Sequence, residues 1–319
     1  MILEMLKARQ EGWTSGEELS LRLKMSRAGV WKHIARLRKD GYEIEASTRK
    51  GYQLKSAPSL LLPAEIRDGL KTSVWGKREI VYHPETASTN TDAKILATQG
   101  APEGTVIIAE HQTRGRGRLG RNWYSPRSRG IYLSVIIRPH LSLQDAPVLT
   151  PLTAVVMAEA LAEETGLKVL LKWPNDIMVS GKKIGGILTE IGSEMDRIDF
   201  AVIGLGLNVH EWAFPEDLKG KATSIALETA RRISRASLVR SYLGKLEMVY
   251  EQQKRLGFGP LLKRYKALTA VIGKEATIDS GGRRLSGRVR DLDERGALLV
   301  EGRDGETIRV VSGDIHYPV

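Results

Sequence analysis

From residue 80 onward, short apolar segments of the chain alternate with longer segments that have helical periodicity. Short apolar runs bounded by turn residues are typical of strands, and apolar residues that recur every third or fourth position are typical of helices. We predict strands at residues 80–83, 105–110, 131–137, 168–172, 184–191 and 200–207, and helices at 89–99, 154–164, 238–254 and 260–267. Helices and a sheet bury each other's apolar faces, so the pattern predicts a mixed α/β domain.

The length of the chain, 319 residues, exceeds what one hydrophobic core usually organises. Ser56-Ala57-Pro58 and Pro63 bracket a segment with the composition of a linker, so we expect a domain boundary near residue 60. Beyond residue 270, short strand-like segments are separated by turns such as Ser280-Gly281-Gly282, which is typical of a small antiparallel barrel. The predicted fold class is α/β (α+β) multidomain, with domains at 1–60, 61–269 and 270–319.

The composition excludes several classes of chemistry. The chain has no cysteine and therefore no disulfide or thiol nucleophile, and its six histidines lack the spacing of a metal site, so we expect no permanently bound metal. The formal net charge of +11 favours an anionic partner. No run approaches the roughly 20 apolar residues of a membrane span, and residues 1–13 lack an export signal. We expect a cytoplasmic protein with no membrane partner.

Two helices are predicted near the N-terminus. Thr14 and Ser15 each precede a glutamate by three positions, which is the pattern of a capping box. Ser26 is a favourable N-cap for a second helix that extends to about Lys39. Apolar residues recur along this second helix as a core stripe, Val30, Ile34 and Leu37. Its other side is basic, so we expect one face to pack and the other to be exposed.

After the second helix the apolar pattern changes to alternation, in residues 42–45 and 52–54, around a basic tip. Helix, tight turn, helix and hairpin in this order predict a winged helix-turn-helix. The second helix of such a domain enters the major groove, and phosphate contacts fix its register. We predict DNA contacts from Ser26, Arg27, Gly29, Lys32, Arg36, Arg49 and Lys50. The alternative is a small helical cap whose basic face is solvated.

Residues 115–120 fit the glycine pattern of dinucleotide-binding folds. That interpretation requires a helix directly after the glycines, whereas residues 121–126 have no helical pattern before a proline. Arginines interleaved with glycines and followed by Trp123 instead suit a polyphosphate and a purine. We expect the empty loop to be mobile, because its guanidinium groups repel one another. The alternative is a solvated basic loop.

A second cluster begins at Lys172-Trp173-Pro174-Asn175-Asp176. The proline stiffens the end of the strand, so the Asp176 carboxylate can reach a cation or a ribose at the bend. Lys183 follows one strand later and precedes glycines that leave room for a ligand. Taken in isolation, Lys183 is an exposed strand lysine.

Together, these segments resemble the motifs of the biotin protein ligase family. The motifs are Gly-Arg-Gly-Arg-x-Gly-Arg-x-Trp at 115–123, Lys-Trp-Pro-Asn-Asp at 172–176 and Lys183-x-x-Gly186. Ser88-Thr89-Asn90 is similar to the family's biotin motif, and Gln112 precedes the arginine loop as it does there. The winged helix resembles that of the bifunctional members, which also repress biotin synthesis genes. The C-terminal segment resembles the family's SH3-like β-barrel, so the resemblance spans the whole chain.

The resemblance implies an ATP-dependent ligase that forms biotinyl-5'-AMP and transfers biotin to a lysine of biotin carboxyl carrier protein of acetyl-CoA carboxylase. Biotin and ATP with Mg2+ would be the substrates, and the adenylate-bound protein would bind operator DNA as a homodimer. The resemblance implies catalytic roles for Lys183 and Arg118. The implied biotin-binding residues are Ser88, Thr89, Asn90, Gln112, Gly115, Arg116, Gly117, Arg118, Lys183 and Gly186. The implied nucleotide-binding residues are Arg118, Arg121, Trp123, Lys172, Asp176 and Asn208, with Asp176 also facing Mg2+.

Two points stay open from the sequence. Gly204 and Gly206 precede Asn208 in one strand, and they indicate either a nearby nucleotide or close packing of the strand under a helix. Two other functions are also possible: a transcription factor that senses an anionic metabolite without turnover, and a lipoate-type protein ligase. Polar residues at 88–90 and at Gln112 favour a ureido headgroup over an aliphatic acid.

Overall fold

The computed structural model describes residues 1–9, 12–194, 197–302 and 304–317. The chain divides into two compact units, Met1–Leu60 and Leu61–Val319. The elements of the first unit are α1 (Ile2–Ala8), α2 (Gly16–Leu23), α3 (Arg27–Lys39), β1 (Glu43–Ser47) and β2 (Gly51–Ser56). Ser15 accepts a hydrogen bond from the Glu18 backbone N–H at the start of α2, and Ser26 accepts one from Gly29 at the start of α3. Both predicted helix starts are confirmed.

The first unit has the predicted winged helix-turn-helix order, with β1 and β2 paired as an antiparallel hairpin. Val30 and Ile34 of α3 are buried as predicted, and Leu37 is half-buried. Helix α1 was not predicted, because its seven residues are too few to display a clear helical period. It contributes three apolar side chains to the core of the unit, Ile2, Leu3 and Leu6.

The second unit is built on a seven-stranded sheet with the order β3-β4-β5-β9-β8-β7-β6. The strands are β3 (Ile80–His83), β4 (Val106–Ala109), β5 (Gly130–Ile137), β6 (Val169–Lys172), β7 (Asp176–Val179), β8 (Lys182–Glu194) and β9 (Arg197–Asn208). Strands β3 and β4 are parallel, and the other neighbouring pairs are antiparallel. The predicted strands are therefore confirmed, with β7 added between β6 and β8.

Helices cover both faces of this sheet. They are α4 (Pro63–Arg67), α5 (Thr89–Thr98), α6 (Leu149–Thr165), α7 (Ile225–Thr229), α8 (Arg235–Leu256) and α9 (Gly259–Leu268). Successive residues of a strand point to opposite faces. Ile107 accordingly packs with Ala93 and Ala97 of α5, whereas Val106 and Ile108 belong to the large core that contains α6. The mixed α/β prediction is thus confirmed.

One segment departs from the expectation of no membrane-length run. Residues 146–165, which include α6, are long and apolar enough by length and composition to cross a membrane. Threonine and glutamate residues interrupt the apolar run in the sequence, which is why the segment was not predicted. In the structure, 72% of its most apolar window is buried inside the second unit. A helix that is apolar all round is typical of the centre of a large core, and α6 lies there.

The C-terminal part of the second unit is a five-stranded sheet with the order β13-β12-β11-β10-β14. Its strands are β10 (Glu275–Ser280), β11 (Arg283–Leu292), β12 (Leu298–Glu301), β13 (Thr307–Val310) and β14 (Asp314–His316). All neighbouring pairs are antiparallel, as predicted. Closure of this sheet into an SH3-like barrel stays a prediction. Trp173 Nε1 donates a hydrogen bond to the Gly296 carbonyl at 3.0 Å, which connects this sheet to the end of β6.

Candidate active site

A hollow lies over the central sheet on the face that α5 partly covers. Residues paired directly across neighbouring strands share one face of a sheet. Asp176 of β7 pairs with Gly186 of β8, which pairs with Gly206 of β9. In the row nearer to α5, Leu188 pairs with Gly204. Glycines at these positions leave space that other side chains would fill.

Two side chains occupy part of the space above these glycines. A Cβ atom at position 204 would collide with Asn90 Oδ1, and one at position 206 would collide with the indole ring of Trp123. Close packing under a helix is confirmed for Gly204, whereas Gly206 packs under Trp123 of the glycine-arginine segment. Asn208, two residues further along the same strand, is almost fully buried and donates from Nδ2 to the Thr223 carbonyl at 3.0 Å.

The first turn of α5 forms one wall of the hollow. Ser88, Thr89 and Asn90 are buried there. Gln112 Oε1 accepts a hydrogen bond from the Thr89 backbone N–H at 2.9 Å. Ser134 Oγ of β5 lies 2.8 Å from Thr89 Oγ1. These bonds fix the side chains of Thr89 and Gln112 relative to the sheet.

The glycine-arginine segment is a small hairpin. The Gly117 N–H donates to the Arg121 carbonyl at 2.7 Å, and the Trp123 N–H donates to the Gly115 carbonyl at 2.9 Å. Leu119 at its tip has a φ of 55°. In the described chain no α-helix follows before β5, which confirms that the segment is not a dinucleotide-binding turn. Mobility of the empty loop stays a prediction.

The hairpin arginines contact two different strand ends. Arg118 Nη1 lies 3.4 Å from Asn175 Oδ1 and 3.5 Å from the Gly313 carbonyl oxygen. Arg121 forms an ion pair with Asp314 of β14. Burial lowers the pKa of the Arg118 guanidinium, and the nearby carboxylates partly offset this effect. The C-terminal sheet therefore supplies part of the site.

Lys183 faces the same hollow from β8. Its Nζ lies 2.5 Å from Asp176 Oδ1 and 5.4 Å from the centroid of the Trp123 ring. Its side chain is 34% exposed, so the interpretation of Lys183 as an exposed strand lysine is wrong. Its backbone is bonded to the segment 221–223, because its N–H donates to the Lys221 carbonyl and its carbonyl accepts from the Thr223 N–H.

These side chains surround one cavity of about 300 Å³ in the second unit. The sequence-predicted residues that line it are Ser88, Thr89, Asn90, Gln112, Arg116, Gly117, Arg118, Arg121, Trp123, Lys172, Asp176, Lys183, Gly186 and Asn208. Gly115 is not part of the lining. It lies where a Cβ would collide with the Trp123 carbonyl oxygen, so its place in the site is to allow the hairpin to close.

One buried polar atom of the lining lacks a partner. Trp123 Nε1 is inaccessible to solvent and has no hydrogen-bond partner among the described residues. This nitrogen lies over Gly206, where a Cβ would stand 2.5 Å from it, so the strand covers it from the cavity.

Sequence reasoning missed several parts of the wall. The loop after β9 adds Phe214, Leu218 and Ala222, and β14 adds Asp314, Ile315 and His316. Trp212 and Phe214 are aromatic residues in a polar loop, and this pattern in the sequence could have indicated that the loop contributes to a binding site. The β14 residues carry no motif, and they reach the cavity through the tertiary fold.

The predicted DNA-binding residues lie on α3 and on the hairpin of the first unit. Six of them are exposed: Ser26, Arg27, Lys32, Arg36, Arg49 and Lys50. Gly29 is half-buried against Met25. Trp31, which sequence reasoning missed, is 60% exposed on the same helix. Lys32 and Arg36 form no ion pair with the described residues. The surface is therefore basic and open to solvent.

Three family models match successive parts of the chain. Residues 82–208 match the Biotin/lipoate A/B protein ligase family, residues 1–53 match a helix-turn-helix domain, and residues 271–316 match the Biotin protein ligase C terminal domain. The first and third matches contain most of the residues that line the cavity, and Phe214, Leu218 and Ala222 lie between them. The class of protein that the fold and the site define is a protein ligase joined to a helix-turn-helix.

Whole-chain relatives narrow this class. The chain is 39% identical to "Bifunctional ligase/repressor BirA" of Bacillus subtilis, over 98% of this chain and 97% of the relative. It is 34% identical to "Biotin--[acetyl-CoA-carboxylase] ligase" of Mycobacterium tuberculosis, over 78% of this chain and 93% of the relative. A solved structure, "Biotin protein ligase from Aquifex aeolicus in complex with biotin and ATP", matches with a TM-score of 0.65 and 27% identity, over 76% and 99% of the two chains. The chain belongs to the biotin protein ligase family, and to its bifunctional type.

Proposed function

We propose that this protein is an ATP-dependent biotin protein ligase that also represses transcription by binding DNA. The observation that carries the ligase function is the single cavity that brings Lys183, the arginine hairpin and the first turn of α5 together. The relatives add weight, because the Bacillus subtilis protein is named a ligase and a repressor, and the Aquifex aeolicus structure holds biotin and ATP.

The substrates carry like charges, so the first task of the site is neutralisation. Biotin ends in a carboxylate, and ATP presents a polyphosphate. Arg118, Arg121 and Lys172 line the cavity and supply the positive charge. Among the described residues no group of three histidine or carboxylate side chains is placed to hold a metal ion. Mg2+ would enter with ATP and would neutralise phosphate charge, and Asp176, whose carboxylate pairs with Lys183, would help to hold it.

In the first step, a carboxylate oxygen of biotin forms a bond to the α-phosphorus of ATP. The bond between this phosphorus and the bridging oxygen breaks, and pyrophosphate leaves. Lys183 bridges the carboxylate and an α-phosphate oxygen, so it stabilises charge that develops in the transition state. No nucleophilic side chain is required, which explains why a cysteine-free site suffices.

In the second step, the amine of a carrier-protein lysine attacks the carbonyl carbon of biotinyl-5'-AMP. The bond from this carbon to the phosphate oxygen breaks, AMP leaves, and the new amide nitrogen loses a proton. Until that attack the mixed anhydride must be kept from water. The hairpin and β14 form one side of the cavity, where the ion pair of Arg121 and Asp314 joins them. This cover would keep water from the anhydride.

The biotin headgroup binds at the first turn of α5 and the adenylate binds near Trp123. Thr89 and Gln112 supply fixed polar atoms for a ureido ring. Adenine stacking on Trp123 and contact with Asn208 complete the proposed nucleotide site.

The first unit reads operator DNA through α3 and the hairpin β1–β2. Adenylate binding is proposed to favour a homodimer, which places two such units on a two-fold operator. The proposed partners are the operator, biotin carboxyl carrier protein and a second copy of the chain. All of these lie in the cytoplasm, and no step involves a membrane.

Two other functions predict different results from incubation with ATP, Mg2+ and biotin. A metabolite-sensing transcription factor would bind the ligands without releasing pyrophosphate. A lipoate-type ligase would activate lipoate or octanoate in preference to biotin. The Mycobacterium tuberculosis relative, which is named as a biotin ligase, favours the first proposal.

The test is incubation of the purified chain with ATP, Mg2+ and biotin, with lipoate or octanoate in parallel reactions. We expect pyrophosphate release that depends on biotin, and a product with the mass of biotinyl-5'-AMP. Absence of that product with biotin would contradict the ligase function, and its absence with every acid would leave the sensor function.

A further inference from the structure

Glu190 is a half-buried carboxylate that lies beside the cavity without lining it. It is on β8 directly opposite Val202, two residues beyond Leu188 and therefore on the same face of the sheet as the cavity floor. Its side chain is 16% exposed. The cavity is lined by Leu188 and not by Glu190, so this carboxylate lies behind the cavity wall.

Three polar side chains face Glu190, two from α5 and one from the arginine hairpin. Asn90 Nδ2 of α5 donates to Glu190 Oε2 at 2.9 Å. Lys94 Nζ, one helical turn later, donates to Glu190 Oε1 at 3.1 Å. Arg116 Nη1 of the hairpin lies 3.6 Å from the same oxygen. A single carboxylate thus joins the biotin wall to the start of the arginine hairpin.

The side-chain amide of Asn90 has one orientation. Its Nδ2 donates to Glu190 Oε2 and also to the Leu188 carbonyl oxygen at 3.1 Å, so its Oδ1 points away from both acceptors. Asn90 Oδ1 then accepts the proton of Ser134, whose Oγ lies 2.6 Å away. Since the Ser134 proton is committed, the 2.8 Å contact between Ser134 and Thr89 requires the Thr89 hydroxyl to be the donor.

The consequence reaches the cavity at Thr89. Its hydroxyl proton is directed to Ser134 or to Gln112 Oε1, which lies 3.2 Å away. In either case the Thr89 oxygen offers lone pairs, and not a proton, to the cavity. An oxygen that accepts matches an N–H donor of a ligand, and a ureido ring carries such donors.

We propose that Glu190 is a positioning residue for biotin, which ties Asn90 and Lys94 of the biotin wall to the base of the arginine hairpin at Arg116. This proposal rests on the proposed ligase function. It assigns to Glu190 no contact with the reacting atoms.

The test is Glu190→Gln, which keeps the size of the side chain and removes its charge. The neutral amide can still accept from Asn90 Nδ2, which the Leu188 carbonyl also orients, but it lacks the charge that holds Lys94 and Arg116. We expect KM for biotin in pyrophosphate release to rise by about tenfold to a hundredfold, with kcat at saturating biotin and KM for ATP within about threefold of wild type. Glu190→Asp keeps the charge and is expected to recover part of this loss.

The matched control is Glu159→Gln. Glu159 is also half-buried and paired with an arginine, Arg264, but it lies on α6 away from the cavity. We expect Glu159→Gln to keep the wild-type KM for biotin. If Glu190→Gln and Glu159→Gln gave the same KM, or if Glu190→Gln lowered the melting temperature alone, the proposal would be wrong.

A second variant keeps the proposal testable if Glu190→Gln does not fold. Burial acts to raise the pKa of Glu190, but the hydrogen bonds from Asn90 and Lys94 outweigh it and bring the pKa below its usual value. Positioning of the biotin wall needs the ionised form of Glu190, so affinity for biotin is lost as the pH falls through the pKa of Glu190. Lys94→Gln removes a contact that lowers this pKa, so the loss of affinity is expected at higher pH.

This shift is measured as the affinity of the chain for biotinol between about pH 4 and pH 7. Biotinol ends in an uncharged alcohol, so the ligand has no carboxylate that changes its charge in this range. An unchanged pH profile in Lys94→Gln would overturn the proposal. Failure of the wild-type chain to release pyrophosphate with biotin would instead overturn the ligase function, so the two failures are distinguishable.

Discussion

The DNA-facing surface of the first unit and the cavity of the second unit are both basic, but they are organised differently. On α3, Lys32 and Arg36 point into solvent and form no ion pair with the described residues. In the cavity, Lys183 is paired with Asp176, and Arg121 is paired with Asp314. These two cavity cations therefore have carboxylate partners within the protein. The α3 surface can attract DNA phosphates through its own exposed charges. The cavity instead depends on cations whose positions are set by residues distant in the sequence.

The largest effect is expected at Lys183. Lys183→Ala removes the ammonium that lies between Asp176 and Trp123, and we expect adenylate formation to slow by about a hundredfold to a thousandfold. The measurement is biotin-dependent pyrophosphate release. Lys182→Ala is the control, because Lys182 is an exposed neighbour on the same strand. Equal losses in both variants would remove the assigned role of Lys183 and the contrast with the surface cations.

The next effect concerns the DNA-facing surface. Lys32→Ala combined with Arg36→Ala removes two exposed charges from α3, and we expect operator affinity to fall by about tenfold to a hundredfold. The slope of log affinity against log salt should shrink by roughly two. Lys77→Ala with Arg78→Ala removes the same charge from exposed sites of the second unit. Ligase activity is expected to be unchanged in both double variants, and a loss of activity in the α3 variant would break the separation of the two regions.

A smaller effect is expected from Arg118→Gly. Arg118 joins the hairpin to Asn175 and to the Gly313 carbonyl, so its loss loosens the cover of the cavity. We expect biotinyl-5'-AMP to escape into solution about tenfold faster than from wild type, measured by mass analysis after rapid filtration. Arg114→Gly is the control, because Arg114 is exposed and does not line the cavity. Normal retention in Arg118→Gly would contradict its placement.

The smallest effect is expected from Asp314→Asn. The Arg121 and Asp314 pair is partly exposed, with Arg121 65% accessible, and exposed ion pairs contribute little free energy. We expect adenylate retention to fall by about twofold to fivefold. Asp304→Asn, in an exposed turn of the same C-terminal sheet, is the control. A loss larger than that of Arg118→Gly would mean that β14, and not the hairpin, is the main cover.

Local patterns predicted most of the fold and many of the cavity residues. Capping at Ser26, the helical stripe of α3 and the alternation in β1 and β2 are interactions within a few residues, so they are visible in the sequence. The cavity motifs at 115–123 and 172–176 were found for the same reason. Helix α1 was missed because it is short, and the core helix α6 was underestimated because polar residues interrupt its apolar run.

The sequence by itself determined the element types, their order, the basic surface and the resemblance to a family. The tertiary structure decided which distant residues meet: Asp314 with Arg121, Ser134 with Thr89, and Glu190 with Arg116. The physical reason is that strand register and sheet order bring these side chains together. Contacts that span so many positions depend on the packing of the whole unit and leave no local periodicity to detect.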